Sequence, residues 1–157
     1  MIILGRRGDD RSWAWGTVAC IALVAAGTSL WSSLSAERLP EELATHWNEQ
    51  NIAGGFEPLF GINLLLSLTA IVLCALVCGL AIARRAASAL LARVGVGLGV
   101  FSALGVNAMH LTLIASQLDA PDPTRVIMDP ALMISTLGVA ALAGLLAFIF
   151  YRPQPAA

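Results

Sequence analysis

Four stretches without a charged side chain, residues 12–36, 58–83, 94–118 and 130–151, take up most of the chain. Each is long enough to cross the ~30 Å hydrocarbon core of a bilayer at about 1.5 Å rise per helical residue. Lipid offers no partner to backbone N–H and C=O groups, so runs this apolar are expected as helices. The composition agrees, with 58% hydrophobic and 12% charged residues. The fold class expected is therefore an all-α membrane protein, a four-transmembrane-helix bundle forming a single membrane domain over residues 1–157. The loops between the spans cover 37–57 and 119–129 on the outer side. The first run has the arginine-led start of a signal peptide but exceeds a hydrophobic region of about 7–15 residues, which predicts an uncleaved anchor.

Lysine is absent, and the arginines are unevenly placed. Arg6, Arg7, Arg11, Arg84, Arg85, Arg93 and Arg152 fall on one side of the spans, and only Arg38 and Arg125 on the other. Positive charge is retained in the cytoplasm, so both termini are expected there, in a multi-pass protein of the bacterial cytoplasmic membrane. Glu37, Glu41, Glu42, Glu49, Glu57, Asp119, Asp122 and Asp129 gather in the two outer loops. Trp13, Trp15 and Trp31, with Phe148, Phe150 and Tyr151, mark the interfacial belts. A net charge of -1 supplies no basic field for nucleic acid.

The first outer loop is the longest polar stretch. Pro40 suits a first helical position and Glu41 with Glu42 suits the positive end of a helix dipole. At 100° per residue Leu39, Leu43, His46, Trp47 and Gln50 share a stripe, opposite Glu41, Thr45, Asn48 and Glu49. This pattern predicts a short interfacial helix over 39–50 that caps the bundle, with His46 turned inward toward Asn63, Ser67 or Gln117. Burying Leu39, Leu43 and Trp47 is worth about 3–6 kcal/mol. On a helix, Glu42 and Glu49 flank His46 at four and three residues, a spacing that suggests zinc. No third nitrogen or sulfur ligand lies nearby, and a histidine holding a turn is the plainer reading.

The segment LPEELATHWN, Leu39 to Asn48, followed by Gly55-Phe56 and Pro58, resembles the signature of a bacterial membrane domain of unknown function also present in SdpI-like immunity proteins. That signature has the form LP-x-x-[IV]-[AP]-T-H-[WF]-[GN], then G-x-P-D-G-[FW]. The resemblance implies a loop placed after the first transmembrane helix, as the spans already suggest. Asn51, Ala53 and Gly54 stand where the pattern has Gly, Pro and Asp, so no role of that Asp carries over.

Within the spans, Asn107 and His110 are polar groups in a medium where such groups face protein or water. Interhelical hydrogen bonding accounts for both. Thr28, Ser29, Ser32 and Ser33, then Asn63 and Ser67, then His110, Ser116 and Gln117, then Ser135 and Thr136 collect at one depth. This predicts a polar crevice open to the outside. Cys20, Cys74 and Cys78 read as apolar packing residues. Gly95 to Gly99 (GVGLG) lies inside a span, so it serves helix packing and not a nucleotide.

No nucleophile, base and orienting group can be assembled, which disfavours an enzyme, and no cofactor is implied. The expected function is an accessory, immunity-like or assembly subunit that binds a protein partner or larger membrane complex through its outer loops. Contact residues are expected among His46, Trp47, Glu42, Glu49, Asn107 and His110. The alternative is a receptor or carrier holding a small ligand, lipid or metal in the crevice. Besides the lipid bilayer, a homo-oligomer is a further possible association.

Overall fold

The computed structural model describes residues 7–49 and 52–153, excluding the side chains of Arg7, Gly8, Asp9 and Arg11. Its four long helices are α1 (Arg7–Leu34), α2 (Leu59–Ala83), α3 (Ala89–Ala115) and α4 (Pro130–Phe150). All four are long and apolar enough to cross a membrane, making this a multi-pass membrane protein. Large apolar side chains such as Leu65, Val72, Leu76, Ile134 and Leu142 point outward, as a lipid solvent requires.

The third span begins earlier than its charge-free stretch, because Ser88 caps α3 by accepting from the Leu91 N–H. Arg93 consequently lies inside the helix. Its guanidinium reaches the α4 terminus, where Nε donates to the Phe148 carbonyl at 3.0 Å and the group lies 4.6 Å from the Phe148 ring centroid. A long stem with its charge at the helix end keeps the ion out of hydrocarbon. Asp129 caps α4 through the Ala131 and Leu132 N–H groups, with Pro130 in the first turn, where its missing N–H costs nothing.

Helix α3 is the axis of the bundle. It packs along α2 and α4, while α1 leans mainly on α2 and less on α3. Three alternate glycines make both approaches close. A Cβ on Gly95 would fall 2.5 Å from Ala81 Cβ, and one on Gly99 would fall 2.5 Å from Cys78 Sγ, both on α2. On the opposite side, a Cβ on Gly97 would lie 2.9 Å from the Gly144 carbonyl oxygen of α4. The GVGLG run therefore serves two helix interfaces, the expected packing role extended to a second partner. Cys74 and Cys78 are buried, with Cys20 exposed.

The arginine-rich end is fastened by a cluster that sequence reading did not foresee. Asp10, 5% exposed, pairs with Arg85 Nε at 2.7 Å, and the Tyr151 hydroxyl donates to the other Asp10 oxygen at 3.1 Å. Trp13 meets the Tyr151 ring edge-on at 5.7 Å. The start of α1, the end of α2 and the end of α4 are thereby joined through one carboxylate.

At the opposite end the first loop corrects the sequence reading. The interfacial helix expected over 39–50 does not form in the described residues 39–49; after a single 3-10 turn at Ala36–Arg38 the chain makes an antiparallel hairpin, β1 (Glu42–Trp47) with β2 (Ala53–Pro58). The register pairs Glu42 with Pro58, Ala44 with Phe56 and His46 with Gly55, and is broken on either side of His46. Gly55 keeps the strands close there, since a Cβ would lie 3.1 Å from His46 Cβ and push it back by a few tenths of an ångström. The segment ELATHW holds a β-branched Thr45 and ends on the aromatic Trp47, both better suited to a pleated surface than to a short exposed helix.

Candidate functional site at the hairpin end

The polar residues clustered in depth bond to one another. Asn63 Oδ1 accepts from Ser32 Oγ at 2.9 Å and lies 2.8 Å from His110 Nε2. An amide carbonyl only accepts, so in this arrangement the proton of a neutral His110 sits on Nε2. His110 Nδ1 is left buried without a hydrogen-bond partner. Ser29 and Ser67 meet at 2.8 Å, and the Ser29 carbonyl lies 2.9 Å from Ser32 Oγ, a second acceptor for its one hydroxyl proton. The crevice anticipated from sequence is thus largely a knot joining α1, α2 and α3, with Ser32 and His110 at 0% exposure.

Asn107 and His110 face different neighbours. His110 turns to α2, whereas Asn107 donates through Nδ2 to the Ala103 carbonyl at 3.2 Å and lines a groove with Thr28 of α1 and Thr136 of α4. The Asn107 carbonyl oxygen is buried and has no hydrogen-bond partner.

The hairpin is seated on this knot by both backbone and side chain. Gln117, just past α3, accepts from the Ala44 N–H at 2.7 Å and donates to the Ala44 carbonyl at 3.0 Å. The side-chain amide acts as a one-residue strand partner, satisfying two backbone groups that would otherwise be buried unpaired. Leu43 is completely buried against Ile62, Leu113 and Ile114, worth about 1.5–3 kcal/mol of transfer free energy. Trp47 is half-buried, and its indole N–H donates to the Val126 carbonyl at 2.7 Å. The expected inward positions of Leu43 and Trp47 hold, although on a strand.

A second tie links the two loops of this end. The Asp119 N–H donates to the Arg38 carbonyl at 2.7 Å, with Asp119 in the left-handed region at φ 57. Arg38 Nε donates to Asp119 Oδ1 at 3.1 Å. The side-chain hydrogen bond from Arg38, together with its guanidinium charge, holds the Asp119 carboxyl below the usual carboxylate range.

His46 faces out, contrary to the expectation that it turns toward Asn63, Ser67 or Gln117; Asn63 bonds to His110 and Gln117 to Ala44. Glu41, Glu42 and Glu49 are exposed as well. The metal set suggested by helical spacing does not assemble. Along a strand, Glu42 and His46 are separated by roughly 13 Å, and among the described residues no three His, Cys, Asp or Glu side chains form a group able to hold a metal ion. Glu42 instead lines an outward groove of about 640 Å³ with Pro40, Glu41, Phe56, Pro121 and Thr124, walls that carry two carboxylates and no basic residue.

Sequence reasoning missed Arg38 with Asp119 and the Val126 carbonyl. All are contacts between loops distant in sequence, and only the charge complementarity of Arg38 and Asp119 left a trace. No family model matches the chain, and no curated protein or solved structure matches it either.

Proposed function

We propose that the chain is a non-catalytic accessory or immunity-like subunit of the bacterial cytoplasmic membrane that binds a cationic protein partner at the hairpin end. In this reading both termini are cytoplasmic, on the strength of the arginine distribution, and the hairpin faces outward. The carrying observation is the groove of Pro40, Glu41, Glu42, Phe56, Pro121 and Thr124. Proline and phenylalanine give it rigid apolar walls, and its two carboxylates favour a partner that inserts lysine or arginine. The hairpin behind it is fixed by Gln117 and Trp47, so little ordering entropy is lost on binding. The resemblance of Leu39 to Asn48 to the loop of SdpI-like immunity proteins points the same way. The receptor or carrier reading draws on one observation, the unpaired Nδ1 of His110, but the surrounding polar groups face each other rather than an opening.

Glu41→Gln with Glu42→Gln is expected to weaken capture of the partner by about tenfold or more at low salt, and much less at high salt where the native interaction is itself screened. Purification in mild detergent with mass spectrometry of the retained molecules measures this. A stoichiometric protein lost from the double variant supports the proposal; a retained lipid or metal with no protein contradicts it.

A further inference from the structure

At the arginine-rich end a slot of about 650 Å³ opens between the first turns of α1 and the last turns of α2. Its walls are Ala14 and Trp15 on one side and Gly79 and Ala83 on the other, with Arg85 and Asp10 at the mouth. Small side chains keep it open, and a Cβ on Gly79 would meet nothing within 4 Å. From Ala83 to Gly79, and from Asp10 to Trp15, it runs about 6–8 Å along the helices at 1.5 Å per residue. That is roughly half of the ~15 Å of hydrocarbon in one leaflet. The mouth is polar and the depth apolar, so a fitting occupant is charged at one end and greasy at the other.

The mouth has donors to give. Arg85 is held by two contacts, with Nε 2.7 Å from Asp10 Oδ2 and Nη1 donating to the Ile82 carbonyl at 3.0 Å. The second Nη1 hydrogen and both on Nη2 are left without a partner among the described residues, on a side chain 34% exposed. The Trp15 indole N–H makes no hydrogen bond among the described residues either, and its ring is exposed. Asp10 is the one group here that repels an anion, but it is 5% exposed and opposed by Arg85. Among the described side chains this end sets Arg84, Arg85, Arg93 and Arg152 against that single carboxylate, so its field is positive.

We propose that the slot binds an anionic phospholipid. Its phosphate accepts from the Arg85 Nη groups and the Trp15 indole, and its glycerol and first methylenes lie along Ala14, Ala83 and Gly79. Basic pockets between membrane helices hold anionic head groups by this combination of charge and apolar wall. A free phosphate would leave the apolar depth unfilled, and a choline head group would add another cation among the arginines. Asp10 acts as a positioning residue, holding the guanidinium at the mouth. The site lies at the opposite end from the hairpin and stands or falls apart from the partner proposed there.

Native mass spectrometry of the full chain, released from micelles supplemented with dioleoyl phosphatidylglycerol or dioleoyl phosphatidylcholine, tests this. Phosphatidylglycerol is expected to be retained with about fivefold preference, the worth of one cation beside an anionic lipid. Gly79→Leu fills open space at an exposed helical position, so the variant is expected to keep the circular dichroism of the native chain while its phosphatidylglycerol retention falls to that of phosphatidylcholine. Trp15→Phe keeps an aromatic ring and loses the N–H, and is expected to weaken retention about threefold, the typical effect of one hydrogen bond in a membrane. Inorganic phosphate at equal concentration is expected not to displace the lipid. Equal retention of the two lipids, retention unchanged by Gly79→Leu or by Trp15→Phe, or displacement by inorganic phosphate overturns the proposal.

Discussion

Asn in place of Asp10 is expected to lower the unfolding free energy of the bundle by about 2–3 kcal/mol, the upper part of the range for a buried pair being discounted because Arg85 is partly exposed. The carboxylate is 5% exposed, forms an ion pair with Arg85 and accepts from the Tyr151 hydroxyl. The isosteric amide keeps an acceptor for Tyr151 but leaves the guanidinium without its counter-charge. Because breaking a pair costs more than replacing it, Asp10→Asn with Arg85→Met is expected to recover most of the loss. Reversible unfolding in mixed micelles measures both variants. Equal destabilisation by the single and the double variant would show that the charge pair is not what joins α1, α2 and α4.

Gln117→Ala is expected to cost about 2–4 kcal/mol, confined to the hairpin end. It removes the partners of the Ala44 N–H and C=O, both buried by the hairpin itself, and each orphaned group costs about 1–3 kcal/mol before water enters. In the bundle the amide meets the Leu113 carbonyl near the end of α3 at 3.1 Å, one bond in the last turn of a long helix, so unfolding of the spans is expected to shift little. Limited proteolysis of the segment 39–58 should accelerate in the variant, with cleavage elsewhere unchanged. Gln117→Glu is expected to fall between, since it still accepts from the Ala44 N–H but has no donor for its carbonyl.

How far the sequence speaks depends on which force dominates. The spans were legible because bilayer thickness and backbone satisfaction leave a charge-free run little choice, and the polar residues that meet around Asn63 could be grouped by depth alone. The start of α3 was misplaced because charge was taken as a boundary, whereas Arg93 extends its head to the Phe148 carbonyl. The first loop was misread for another reason. Leu39, Leu43 and Trp47 repeat every four residues and imitate a helical stripe, and the register break around His46 spoils the strict alternation that would have announced a strand. Leu43 and Ala44 are moreover buried side by side, one in the apolar cluster and the other against Gln117. His46, read as inward on the helical wheel, is left facing out. Contacts such as Trp47 with Val126 join loops far apart in the chain, and no local pattern encodes them.

The loop between α1 and α2 is a hairpin pinned to the bundle, with its acidic side chains exposed. Amide hydrogen exchange of the unmodified protein in a membrane-like environment, read residue by residue, tests it most directly. The N–H of Ala44, buried and bonded to Gln117, is expected among the slowest outside the spans, and that of Asn48, bonded to the Ile52 carbonyl, at intermediate rate. Glu41 and Glu49 should exchange quickly. Fast exchange throughout residues 39–58, or helical chemical shifts from Leu39 to Glu49, would contradict the account.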